Sequence, residues 1–350
     1  MIVDFNGGDE IAFERIGRAG VVTLTRAKAL NALTHTMVKA LAAALTAWAD
    51  EADVDLVVVK AEGRAFSAGG DILDVYRRGK AGEHPVEFFA DEYRLNTQIQ
   101  CYPKPYISLI DGIVMGGGVG LSFHGAHRVI SENALFAMPE VGIGFFPDVG
   151  GSHFLPKVQG HFGRYLALTG DRIRAGDIMA SGMGTVFVAS ADHPLLVEEL
   201  AATGNARAAL AKFSAEAPPR EYNDGMLHTI SRLFAMDNLA EVIAALSRAA
   251  AHDEFARKTL DTMTKRSPTS LHVTFRQIRD GEMLSMEECM VMEYRILNRM
   301  LQGRDFYEGI RAALIDKGST PIWSPATIEA VTDAEVEAYF APLGERELRL

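Results

Sequence analysis

The stretch Tyr102–Pro156, YPKPYISLIDGIVMGGGVGLSFHGAHRVISENALFAMPEVGIGFFPDVGGSHFLP, decides how the chain is read. Tyr106 to Ile110 is an apolar run with aromatic and β-branched members, entered through Pro103 and Pro105, and it predicts a buried strand. The run stops at Asp111-Gly112. Three consecutive glycines follow, Gly116 to Gly118, and then an apolar segment, Val119 to Phe123, that can be helical. Strand, glycine turn and helix start leave backbone N–H groups available to an anion. Two carboxylates then stand isolated among apolar residues: Glu140 after Met138-Pro139, and Asp148 after Phe146-Pro147. Singly, a glycine triplet reads as tight packing and an acid after proline as a helix cap. Together they read as a site.

A second small-residue loop upstream strengthens that reading. Glu62 to Asp71, EGRAFSAGGD, follows a predicted buried strand, Asp55 to Ala61, and opens into a helix from about Ile72. Its small side chains allow a ligand to approach the backbone, and Asp71 suits the positive end of the helix dipole. Before it, Ile11, Phe13 and Ile16 with Val21 to Thr25 predict a β-hairpin. Met37, Leu41, Leu45 and Trp48 form one stripe of a helix capped by Thr34 or Thr36. A helix over Val86 to Gln100 carries Glu92, which either reaches the site or faces solvent. Acids in apolar loops beside a glycine-built anion site suit acyl chemistry.

Beyond Pro156 the pattern turns helical. Short helices are expected at Gly163 to Leu168 and Ala175 to Ala180, a strand at Gly184 to Val188, and a helix at Pro194 to Ala202. A polar, proline-marked break at Ala215 to Asp224 divides the chain into 1–214, which carries the site, and a mainly helical 215–350. In the second part Ser267-Pro268 caps one helix. Ser285 with Glu288 and Thr332 with Glu335 form capping boxes for two others.

With 350 residues, 48% hydrophobic and 23% charged, the chain can bury a core as one large domain or two. A net charge of −11 argues against non-specific nucleic-acid binding, while leaving room for a local basic patch facing a small anion. Cys101 and Cys289 lie far apart and suggest no disulfide framework, which fits a reducing compartment, cytoplasmic or matrix-like. The acidic start, MIVDFNGGDE, does not look like a signal peptide, and no membrane-spanning segment is expected. The ten histidines show no metal-ligand spacing, so neither a metal nor a cofactor is indicated.

Three familiar motifs fail. GGGVGLSFHG does not satisfy the dinucleotide pattern, and no Gly-Lys-Ser/Thr follows to make a P-loop. Ser122 lacks the second glycine of a nucleophile elbow, so pairs with His124 or His127 read as packing.

The two loops, Phe66 to Asp71 and Gly112 to Gly120, followed by Phe136-Ala-Met-Pro-Glu140, resemble the crotonase (enoyl-CoA hydratase/isomerase) superfamily. The similarity is closer to its 3-hydroxyisobutyryl-CoA hydrolase branch. The marks are Glu140 to Gly151, Arg266 to Leu271, Met292 to Arg295 and Asp305 to Lys317, so nearly the whole chain is covered. The resemblance implies an α/β fold, a spiral of β-β-α turns with a helical C-terminal region, acting on an acyl-CoA. Coenzyme A then belongs to the substrate. It implies that Gly70 and Gly117 supply two backbone donors of an oxyanion hole. Glu140 would be the catalytic carboxylate, Asp148 its partner and Glu92 a substrate contact. Ala68, Gly69 and Asp71 would also be substrate contacts, and the loop around Lys28 to Leu33, with Lys28, Ala29 and Leu30, would line the adenine region. Hydratases of the superfamily carry a second glutamate three positions after the donor glycine, where this chain has Gly120. Proton addition across a double bond needs a positioned acid and base, so the resemblance favours thioester hydrolysis, with enoyl-CoA hydration or isomerisation as the alternative and an acyl-CoA-binding scaffold as a third. Relatives often trimerise; the longer tail could cover that surface and leave a monomer.

Overall fold

The computed structural model describes every residue, Met1 to Leu350. Its contacts gather the chain into two compact units of three segments each. The first is Met1–Asp71, Asp91–Phe136 and Ile173–Glu221; the second is Ile72–Ala90, Ala137–Arg172 and Tyr222–Leu350. This grouping differs from the expected break between 214 and 215. Residues 72–90 and 137–172 group with the helical tail because the tail's helices pack on the segment that follows Phe136.

The first unit is built on strands β1 (Ile2–Val3), β2 (Ile11–Ile16), β3 (Ala19–Leu24), β4 (Leu56–Ala61), β5 (Ala65–Ser67), β6 (Tyr106–Ile110), β7 (Ile113–Met115), β8 (His127–Ile130), β9 (Leu135–Ala137), β10 (Ile173–Arg174) and β11 (Val186–Phe187). One step repeats: of each pair β4–β5, β6–β7 and β8–β9, the first strand joins a seven-stranded sheet and the second a four-stranded sheet. That repeat, with helices between the pairs, is the α/β spiral of β-β-α turns expected from the sequence. The large sheet runs β1-β2-β3-β4-β6-β8-β11, with β1, β2 and β3 antiparallel and the rest parallel.

Parallel strands are covered on both faces, and their sequences read as apolar runs accordingly. Leu56 to Val59 are wholly inaccessible. Alternate residues Val21, Val58, Ile107, Leu109 and Val129 pack with Leu196 and Leu200 of helix His193–Thr203 and with Ala209 and Leu210 of helix Ala206–Phe213. Each valine, leucine or isoleucine among them contributes about 1.5–3 kcal/mol on leaving water. Helix His35–Asp50 starts where Thr34 accepts the Met37 N–H at 3.2 Å, so Thr34 is the cap. Its Trp48 lies over Gly20, where a side-chain carbon would come within 2.6 Å of the ring.

The second unit is helical. Tyr165 centres a ring cluster with Phe162, Tyr222, Phe234 and Phe255, and both tyrosine hydroxyls donate to Asp171 Oδ2 at 2.6 Å. Helix Pro268–Gly281 begins at the expected Ser267 cap, and both capping boxes form. No helix is long and apolar enough to cross a membrane. The strand expected at 184–188 shortens to Val186–Phe187, and the helix expected from Val119 begins at Gly117.

Candidate functional site

In the first unit the two glycine loops meet. Leu33 donates to the Gly69 carbonyl at 2.8 Å and accepts the Asp71 N–H at 2.9 Å, a parallel bridge that turns the Gly70 N–H away from Leu33. Gly69 holds φ +110, a region that L side chains rarely adopt. The other loop ends in the helix Gly117–Ser122, whose first N–H has no intrahelical acceptor. A side-chain carbon on Gly117 would lie 3.2 Å from the Gly70 nitrogen and 2.5 Å from Glu92 Oε1; one on Gly69 would lie 3.7 Å from the Gly117 nitrogen. Gly70, Gly117 and Glu92 therefore border one small space that only glycine leaves open. Glu92, in helix Val86–Gln100, is 2% exposed, so it faces inward and not to solvent. Gly118 is closed in by the Ser67 backbone.

The same unit holds the loop around Lys28 to Leu33 and Asp71. Ala68 donates to the Leu30 carbonyl at 3.0 Å, which ties the loop Arg26–Leu33 to the first glycine loop. Leu30 and Asn31 both take φ +53, and buried Asn31 donates to the carbonyls of Glu62 at 2.9 Å and Ala65 at 2.8 Å. Lys28 and Ala29 lie on the exposed turn Ala27–Ala29. Asp71 faces Arg26 at 3.2 Å, so it is engaged with protein at the helix start. Ser122 donates to the Gly118 carbonyl at 2.7 Å and is packing, as expected.

The second unit holds the remaining candidate carboxyl groups. Glu140 is the first residue of a 3-10 turn, Glu140–Ile143, that Gly144 closes at φ +70. It is 7% exposed, and its Oε2 is buried with no hydrogen-bond partner. Burial, then the charge of Asp148, raise its pKa well above the usual 4.5, with Glu293 adding to the rise. Asp148, 4% exposed, begins a tight turn in which Val149 takes φ +49 and Gly150 φ +85. The third carboxyl, Glu293, is wholly buried in helix Met286–Met300 and was given no role by the sequence reading. Its Oε2 accepts the Gly150 N–H at 2.9 Å, and its Oε1 accepts the Ser152 N–H at 3.0 Å and the Ser152 hydroxyl. Burial lifts its pKa to about 8 against those donors, which pull it down. A signal was present: Glu293 interrupts the apolar stripe of Cys289, Met290, Ile296 and Leu297.

The chemistry each cluster offers is distinct. Two backbone donors on a glycine-lined space can stabilise a developing oxyanion, one donor being worth about 3 kcal/mol. A buried carboxyl with a raised pKa and an orphaned oxygen is suited to proton transfer or attack. No three His, Cys, Asp or Glu side chains gather as a metal site.

The chain resembles known proteins over nearly its whole length. The family described as Enoyl-CoA hydratase/isomerase matches residues 19–340. The mitochondrial 3-hydroxyisobutyryl-CoA hydrolase of Danio rerio is 43% identical across 98% of this chain and 92% of its own length. Two solved structures superpose nearly end to end. A carnitinyl-CoA dehydratase from Mycobacterium thermoresistibile has a TM-score of 0.92 at 40% identity, covering 98% of this chain and 99% of its own. An enoyl-CoA hydratase from Rhodobacter sphaeroides 2.4.1 has 0.90 at 41%, covering 97% and 100%.

Proposed function

The chain belongs to the enoyl-CoA hydratase/isomerase family, and from that premise we propose that it hydrolyses 3-hydroxyisobutyryl-CoA, a short branched hydroxyacyl-CoA thioester, to the free acid and coenzyme A. The observation that carries the reading is the 43% identity, across 98% of this chain, to a hydrolase named for that thioester; the buried Glu140 carboxyl is in keeping with it.

In this reading the thioester oxygen takes the N–H groups of Gly70 and Gly117, and Glu92 contacts the substrate. Glu140 brings in the new oxygen. As a base it takes a proton from water as the water attacks the carbonyl carbon; as a nucleophile it attacks that carbon itself, and water then cleaves the acyl-enzyme. On either route the C–S bond breaks, the thiolate leaves with a proton as the free thiol, and one water oxygen ends in the acid. Asp148 orients the substrate hydroxyl or shares the Glu140 proton. Lys28, Ala29 and Leu30 line the adenine end of the coenzyme A moiety, and Ala68, Gly69 and Asp71 contact the substrate. Unpaired Cys101 and Cys289 fit a reducing compartment, cytoplasmic or matrix-like.

The second reading, hydration of an enoyl-CoA, is favoured by the names of the two solved structures. Gly120 speaks against it, because the position where hydratases carry a second glutamate has no side chain here. The two are separated by following thiol release from 3-hydroxyisobutyryl-CoA beside loss of the conjugated absorbance of crotonyl-CoA. Rapid thiol release with little hydration supports the hydrolase. Hydration without thiol release overturns it.

A further inference from the structure

The second unit contains a carboxyl group that the reaction above leaves without a task. Glu293 sits in mid-helix with no exposure to water. An acid in such a place costs several kcal/mol unless donors meet its oxygens. Both oxygens are met, and by one loop: Gly150 N–H on Oε2, and Ser152 N–H and hydroxyl on Oε1. The partners are 143 and 141 residues away in sequence, so a distant helix grips the turn that begins at Asp148.

Backbone preference opposes that turn. A β-branched residue in the left-handed region is a rare conformation costing about 1–3 kcal/mol, and Val149 adopts it at φ +49. Something must hold it there. Gln277 Nε2 donates to the Pro147 carbonyl at 2.5 Å, fixing the residue before Asp148. Glu293 fixes the residues after Val149. The backbone is thus anchored on both sides of the Asp148–Val149 pair by side chains of two helices, Pro268–Gly281 and Met286–Met300.

We infer that Glu293 is a positioning residue: its carboxyl group holds the Gly150–Ser152 backbone so that the strained turn presents the Asp148 carboxyl to Glu140 and to the hydroxyl of the substrate. What Asp148 then does rests on the hydrolase reading; the grip on the turn does not.

The test is a double-mutant cycle between Glu293→Gln and Asp148→Asn, read as thiol release from 3-hydroxyisobutyryl-CoA. Glutamine keeps the shape but has one oxygen, so one of the two backbone N–H groups loses its acceptor. If Glu293 acts through Asp148, E293Q lowers kcat by about 10- to 100-fold with KM held within about threefold, and the double variant turns over no more slowly than D148N alone. Losses that multiply in the double variant, or an E293Q kcat within about twofold of the wild type, overturn the inference. Amide hydrogen exchange over residues 149–152 gives a readout free of activity. Faster exchange in E293Q supports the grip, and unchanged exchange overturns it. A wild-type chain that releases no thiol refutes the hydrolase reading instead, and exchange alone then decides the positioning claim. Should E293Q fail to fold, Ser152→Ala, which removes one donor and spares the carboxyl, enters the same cycle with a smaller loss expected.

Discussion

The Gly70 nitrogen lies 3.2 Å from the point at which a Gly117 side chain would begin, and Glu92 Oε1 lies 2.5 Å from it on another side. The space between the two loops is therefore kept by the absence of one methyl group. Gly117→Ala would push on Glu92 and on Leu33, whose Cδ1 is 3.1 Å away, and would fill the spot assigned to the thioester oxygen. Overpacking of this kind costs about 1–3 kcal/mol of stability. Turnover should fall by about 100-fold or more, the usual consequence of disabling an oxyanion donor. Thiol-release kinetics together with a thermal melt check this, and an alanine variant with wild-type kcat would remove Gly117 from the mechanism.

Glu140 gives a pH dependence. It must be ionised to act as base or nucleophile, and burial with the Asp148 charge holds its proton well above the ordinary 4.5. As pH falls through that raised pKa the carboxylate is lost, so kcat/KM should decline on an acid limb displaced upward from the usual carboxylate range. In D148N one raising charge is gone, and the limb should move toward lower pH. An acid limb at or below 4.5 in the wild type would contradict the placement of Glu140 as the working carboxylate.

Glu293 links folding to pH. Its pKa is raised to about 8 in the fold against an ordinary 4.5, so the fold favours the neutral form. The stability this contributes is complete below the ordinary value and is lost as pH rises through about 8. Wild-type unfolding free energy should therefore drop between pH 5 and pH 8 by an amount on the order of a few kcal/mol. E293Q, which cannot ionise, should show a flatter profile. Urea unfolding at three pH values decides it, and parallel profiles would contradict the assignment.

What the sequence made legible follows periodicity and caps. The stripe from Met37 to Trp48, the strand Tyr106–Ile110 and the helix Val86–Gln100 form where their patterns said: the stripe marks the buried side of its helix, and the unbroken apolar run marks a strand covered on both faces. Helix Ala206–Phe213 was not anticipated: its alanines blur the stripe, and its start is set by Asn205 accepting the Ala208 N–H. The short 3-10 turn at Glu140 has no period to read. Of the candidate site, the glycine loops and both loop acids could be picked out because an acid among apolar residues is conspicuous. Glu293 hid inside an ordinary amphipathic helix, and its importance depends on Gly150 and Ser152, contacts that no local pattern carries. Lys28 and Ala29, marked only by the family resemblance, lie on an exposed turn.

The most direct measurement is thiol release from 3-hydroxyisobutyryl-CoA by the wild type and by Glu140→Gln, with melts to show that both are folded. The expected result is rapid release by the wild type and a kcat lowered by about 100- to 10,000-fold in the variant, the range for removing a positioned acid–base group. A folded variant that keeps near-wild-type turnover would contradict Glu140 as base and as nucleophile alike.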